Sequence, residues 1–299
     1  MTLQLRDRGA PREFVSHGAS VHYWDYSPAE PDQPHPTMVM LHGFRGDHHG
    51  LLKIVETVPQ ARVIIPDLPG FGESAPLAAG EHDVPNYVRC VEAMMGSLQL
   101  PADTVLLGHS FGSIVAAHYA ASPSRPLQAL ILVNPICEPA LEGSKAFLSR
   151  LTGFYYLLCS RLSERAGLFL LRNRLIVRAM SILMTRTKDP VLRRWIHAEH
   201  ARYFSAFANR TVVLEAFRAS ISGTVREAAG RLSLPVLLIA ATDDDLGSVA
   251  GQRRLQESID GSKLAFLDDV GHLIHYEKPA EAAALIQDFL GSLRSGNNI

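Results

Sequence analysis

Short, nearly unbroken apolar runs recur along the chain, each cut off by glycine, proline or a charged cluster. Residues 37–41 (TMVML), 61–66 (ARVIIP), 104–107 (TVLL), 127–133 (LQALILV), 235–240 (PVLLIA) and 263–267 (KLAFL) are too short for helices and read as buried strands. Two alternating segments precede them, 14–17 and 20–26, and Gly18 between them predicts a hairpin. Apolar residues at helical spacing predict helices over 84–98, 111–121 and 279–293. The Pro-rich stretch PAEPDQPHP after the hairpin is too stiff and too poor in donors for a strand. Fully apolar strands separated by helices are the pattern of a parallel sheet covered on both faces.

The texture changes between residues 141 and 231. Strand-like runs vanish, and helix-period segments follow one another at 145–162, 167–184, 190–204 and 211–222. The expected organisation is therefore a core domain from 1–140 and 232–299, with a helical cap from 141–231 inserted into it. No internal repeat is visible.

At 299 residues, the chain fits one large α/β domain with a subdomain. Its 47% hydrophobic and 20% charged residues are ordinary globular composition. The net charge of −1 calls for no nucleic-acid partner. That balance hides an asymmetry: the cap segment carries 16 Lys and Arg against 6 Asp and Glu, and the remainder 13 against 24. Solvated arginines on amphipathic helices explain this most simply; an anionic substrate group or an anionic membrane surface are the sharper readings. Cys90, Cys137 and Cys159 are odd in number and share no metal-ligand spacing, which fits reduced thiols in a cytoplasmic protein. The first residues, MTLQLRDRGAPRE, lack the apolar stretch of a secretory signal. No apolar run approaches the ~18 residues that span a bilayer.

The chemistry centres on VLLGHSFG, where a core strand ends in a serine between two glycines. Strand, G-x-S-x-G and helix in succession form a nucleophile elbow: the turn is strained, the flanking residues must be small, and the hydroxyl of Ser110 projects above the strand end at a helix N-terminus. Serine needs a base. Among 13 histidines, His272 in DDVGHLIH stands on the loop after the last strand, at the same sheet rim as Ser110. His275 is its rival and reads as a structural histidine. The orienting carboxylate is expected in ATDDDL after the strand 235–240. Asp244 is favoured, because alternation points it away from its neighbours Asp243 and Asp245, and Asp243 is the next choice.

Five stretches in one order, LHGF at 41–44, PDLPGFGES at 66–74, GHSFG at 108–112, ATDDDL at 241–246 and DVGH at 269–272, resemble the capped members of the α/β-hydrolase superfamily. Ala241-Thr242 stands where relatives often carry Gly-Glu before the acid. The resemblance implies an α/β-hydrolase fold: a mostly parallel eight-stranded sheet, helices on both faces and an all-helical cap. It also implies a Ser110–His272–Asp244 triad and an oxyanion hole from the backbone N–H groups of Phe44 and Phe111. His42 then shapes the loop, and the segment 67–70 is structural. The expected activity is hydrolysis of a carboxylic ester through an acyl-enzyme, with no metal or organic cofactor and a small acyl compound as substrate. C–C bond, lactone or thioester hydrolysis and perhydrolysis use the same machinery, and a binding protein retaining the fold is the non-enzymatic alternative. Phe147, Leu151, Phe154, Tyr155 and Leu158 are the candidate acyl-pocket residues from the cap.

Overall fold

The computed structural model describes residues 5–139 and 146–296; the side chains of 6, 146–150 and 294–296 lie outside the described set. Eight strands form one sheet: β1 (Gly9–Ser16), β2 (Ala19–Tyr26), β3 (Thr37–Leu41), β4 (Arg62–Pro66), β5 (Val105–His109), β6 (Ala129–Val133), β7 (Val236–Ala241) and β8 (Lys263–Leu267). Their spatial order is β1-β2-β4-β3-β5-β6-β7-β8. The β1–β2 hairpin is antiparallel, as is the β2–β4 pair, and every pair from β4 to β8 is parallel. His17 and Gly18 turn the hairpin with φ of 47° and 81°. Strand β1 begins earlier than its alternating pattern suggests because every residue from Gly9 to Ser16 pairs with β2.

The helices, in chain order, are α1 (Leu5–Arg8), α2 (Leu52–Thr57), α3 (Val84–Ser97), α4 (Phe111–Ala120), α5 (Ala146–Arg161), α6 (Glu164–Leu171), α7 (Arg174–Met184), α8 (Pro190–Tyr203), α9 (Arg210–Ser222), α10 (Arg226–Ala229), α11 (Val249–Glu257), α12 (Ile274–Glu277) and α13 (Pro279–Gly296). The apolar strands split by parity between two cores. Val39, Leu106, Leu130 and Leu132 face one side with α3 and α4, while Met38, Leu107, Ile131 and Ile239 face the other with α2 and α13. Burial on both faces explains why the strands read as continuous apolar runs.

The segment between β6 and β7 is helical among the described residues. The single helix expected over 167–184 is two: α6 stops at Leu171, and the Asn173 side chain accepts from the N–H groups of Leu175 and Ile176 to start α7. Asn173 was the signal in the sequence for that break. Helix α9 is built into the main core through Val212, Val213 and Ala216, α5 and α6 reach the same core through Tyr156, Cys159 and Leu171, and α5, α7, α8 and α9 line the cavity beside Ser110.

Parallel strands put the carboxyl ends of β3, β5, β6, β7 and β8 on one rim. The chain leaves β3 toward β4 on one side and resumes at β5 on the other, and that reversal opens the crevice where the loops after β3 and β5 meet.

Candidate active site

Ser110 closes β5 with φ 54° and ψ −122°, a backbone region that costs a non-glycine residue roughly 1–3 kcal/mol. Close packing enforces the turn. A Cβ on Gly108 would lie 2.3 Å from the carbonyl oxygen of Gly112, and a Cβ on Gly112 would lie 2.4 Å from that of Leu41. The Ser110 N–H donates to the Val133 carbonyl, and Ser113 Oγ donates to the Ser110 carbonyl at 2.5 Å. The hydroxyl therefore stands on a fixed support.

His272 Nε2 lies 2.7 Å from Ser110 Oγ, and its Nδ1 lies 2.9 Å and 3.1 Å from the two carboxylate oxygens of Asp244. The three side chains form one buried hydrogen-bonded chain. Asp244 Oδ1 also accepts from the Leu246 N–H, which fixes the carboxylate. The other two aspartates turn elsewhere: Asp245 pairs with Arg186 at 2.5 Å, and Asp243 anchors its N–H on the Val270 carbonyl.

Asn134, a residue the sequence reading passed over, clasps this arrangement. It is fully buried at φ 44°, donates through Nδ2 to the Gly271 carbonyl at 3.1 Å, and accepts through Oδ1 from the Ala241 N–H at 2.8 Å. One amide thus joins the loop carrying the imidazole to the end of β7, just before the loop carrying the carboxylate. A polar residue directly after an apolar strand was its only trace in the sequence.

Phe44 and Phe111 both border the cavity beside Ser110. Phe111 opens α4, so its N–H has no partner one turn earlier. His42 donates from Nδ1 to the Gly43 carbonyl at 2.8 Å and accepts at Nε2 from the Leu68 N–H at 2.9 Å. Burial lowers its pKa and holds it neutral. Asp67 is buried and accepts from the backbone N–H groups of His48 and Glu73.

Arg45, the residue after Phe44, is the second feature missed in the sequence. Its guanidinium is 1% exposed and has no carboxylate partner among the described residues. It donates to the Phe204 carbonyl at 3.0 Å, the Tyr156 hydroxyl at 3.2 Å and the Leu171 carbonyl at 2.6 Å. Leu171 ends α6 and Phe204 caps α8, so the negative ends of two helix dipoles face the cation. Arg45 therefore pins the loop of Phe44 to three helices of the inserted segment.

The cavity above Ser110 has a volume of about 260 Å³. Its apolar wall includes Ile136, Tyr156, Met180, Leu183, Phe217 and Ile221. The residues expected here from α5 are placed differently. Phe154 is 62% exposed, Leu151 and Leu158 also face solvent, and the Tyr155 hydroxyl donates to the Leu170 carbonyl. The side chain of Phe147 lies outside the described residues. Thr152 and Tyr156 face the cavity instead, because α5 is rotated so that its most apolar stripe points outward.

His275 is not in the chain of the triad residues. Its ring lies 4.0 Å from that of His109 on the cavity floor. Burial holds His109 down to about 3 and His275 well below the ordinary range, so both are neutral. His200, on α8, is held at about 4 by burial and bonds Ser181 through Nδ1. Among the described residues, Asp47, His48 and His49 gather donor atoms within 4.8 Å. There His48 Nδ1 bonds Asp67, His49 Nδ1 bonds Asp47, and the two rings stack on Trp24 and Tyr203.

Comparison with known proteins agrees with this fold. The serine aminopeptidase S33 family model (Hydrolase_4) matches residues 32–279, and the chain belongs to that family of α/β-hydrolases. The chain is 24% identical over 271 residues to monoacylglycerol lipase abhd6-A of Xenopus laevis, covering 88% of this chain and 77% of the relative. It is 28% identical over 262 residues to pimeloyl-[acyl-carrier protein] methyl ester esterase of Aeromonas hydrophila, covering 86% and 96%. The enol-lactonase from Burkholderia xenovorans LB400 has the same fold, with a TM-score of 0.75, 18% identity and coverage of 94% and 100%. The chain is a hydrolase of the α/β type.

Proposed function

We propose that this member of the family hydrolyses a carboxylic ester of a small, largely apolar compound through an acyl-enzyme on Ser110. The observation that carries the reading is the continuous chain from Ser110 Oγ to His272 at 2.7 Å and on to Asp244 at 2.9 Å. His272 takes the hydroxyl proton as Ser110 attacks the acyl carbon, and Asp244 stabilises the imidazolium that forms. The carbonyl oxygen gains charge beside the Phe44 and Phe111 N–H groups, and each such donor is worth about 3–4 kcal/mol in the transition state. His272 then protonates the leaving alcohol, and water releases the acid by the same steps in reverse. Metal and organic cofactors have no part in these steps. The apolar wall around Met180 and Phe217 takes the acyl chain. Burial of all three unpaired thiols fits a cytoplasmic protein.

The test is turnover of p-nitrophenyl esters of graded chain length by the wild-type protein and by Ser110→Ala. The variant should lose at least about a thousandfold in kcat. Equal turnover by the two proteins would end the reading. A lactone, a thioester and a vinylogous diketone in the same panel separate the ester reaction from its relatives.

A further inference from the structure

Among the described residues, eleven large apolar side chains are exposed, and nine of them sit on α5 to α8. They form stripes. Leu151, Phe154 and Leu158 recur at helical spacing along α5, and Leu175 and Ile182 are two turns apart on α7. Leu175 is 80% exposed and Phe169, on α6, is 69% exposed. Positive charge is interleaved with these stripes. Arg161, Arg165, Arg174 and Arg178 are exposed, and none is within ion-pair distance of a carboxylate among the described residues. At the α6–α7 junction Arg165, Arg172 and Arg174 line one groove with Leu168 and Phe169.

Solvated arginines account for the charge but leave the apolar stripes unexplained. A second copy of the chain would have to bring two strongly basic segments together, which charge repulsion opposes. An acidic protein would answer the charge but gives no role to the apolar stripes. An anionic bilayer answers both features, with guanidinium groups at phosphate level and apolar side chains in the acyl boundary. The basic segment faces such a surface while the acidic remainder, with 24 Asp and Glu against 13 Lys and Arg, is repelled from it, so the protein meets it cap first. No helix among the described residues is long and apolar enough to cross a membrane, so the contact lies in the interface. Leu183 is 52% exposed and also borders the cavity, which makes the cavity wall continuous with this face.

We propose that the outer face of α5 to α7 docks on an anionic phospholipid bilayer. That an ester then passes from the bilayer to Ser110 rests on the ester-hydrolase reading; the docking itself does not. The experiment is sedimentation of the full chain with vesicles of phosphatidylcholine alone and of phosphatidylcholine mixed with phosphatidylglycerol. The wild-type protein should bind the anionic vesicles at least about tenfold better than the neutral ones. Phe169→Ser with Leu175→Ser, and separately Arg165→Glu with Arg174→Glu, should each lower that binding about tenfold. Both variants should hydrolyse a soluble ester at the wild-type rate, which shows that they fold, and Ser110→Ala should bind vesicles like the wild type. Absence of wild-type binding to the anionic vesicles would overturn the proposal. So would binding unchanged in both variants, or a wild-type dimer in solution that Phe169→Ser with Leu175→Ser splits.

Discussion

Strands β3, β5, β6 and β7 bury every one of their residues, whereas the eight-residue helix α6 buries only Gly167 and Leu171. The two regions meet over one cavity but are built by different rules. In the sheet, each residue packs against one of two opposing cores, so the backbone beneath Ser110, Asp244 and His272 has little freedom. In the inserted helices, one stripe packs and the rest is open, so their shape depends on a few anchors such as Arg45 and Tyr156. On the reaction proposed above, the chemistry that needs fixed distances stands on the first region, and access and substrate preference belong to the second.

The sharpest way to break this contrast is to disturb the sheet where it is tightest. Gly112→Val places a branched side chain against the Leu41 and His42 carbonyls, at 2.4 Å and 2.6 Å for the Cβ alone. It should cost on the order of 4 kcal/mol, measured as a lower urea midpoint or as failure to fold. A change of that size on a cap helix surface should be nearly silent; a silent Gly112→Val would remove the distinction.

A second test reads the imidazoles lying between the two regions. His109 and His200 have folded pKa values near 3 and 4, against 6.5 for a free imidazole. The unfolded chain therefore binds more protons in that window, and stability falls as the pH drops. The stability they leave intact is fully present above pH 6.5 and is lost toward pH 4, at about 1.4 kcal/mol per pH unit for each group. Denaturation midpoints measured from neutral pH to pH 5 should show that slope, and His200→Gln should flatten it. A pH-independent midpoint would mean that these rings are hydrated.

The smallest expected effect concerns the seam itself. Arg45→Met leaves the Leu171 and Phe204 carbonyls and the Tyr156 hydroxyl without their donor, while removing a buried charge. The net cost should be about 2 kcal/mol. Limited proteolysis should then cut the segment between β6 and β7 faster while the sheet domain survives, and kcat should fall more than KM rises because the Phe44 N–H is no longer held. Uniform digestion of both regions would show that the anchor is shared differently.

Short periods made much of this molecule legible in its sequence. Seven of the eight strands lie where apolar runs or alternation place them, and β1 starts five residues earlier than expected; the central strands were the plainest because a strand buried on both faces has no room for polar residues. Ser110 was legible because the elbow is local: a strand, two close-packed glycines and a helix start within a few residues. His272 followed from its place after the last strand. The outward face of α5 was not legible, because an amphipathic period does not say which side of a helix meets the core.

The sequence by itself determined the order of elements, the elbow of Ser110 and the loop that carries His272, since each depends on residues close together along the chain. Alternation along ATDDDL also favoured Asp244 as the partner of the imidazole. Tertiary structure alone decided that Asn134 clasps the loop of His272 and that Arg45 binds Tyr156, Leu171 and Phe204. Those pairings join residues roughly 110 to 160 positions apart. No local pattern records them, because each is chosen by which groups are left unsatisfied when the sheet and the inserted helices close on each other.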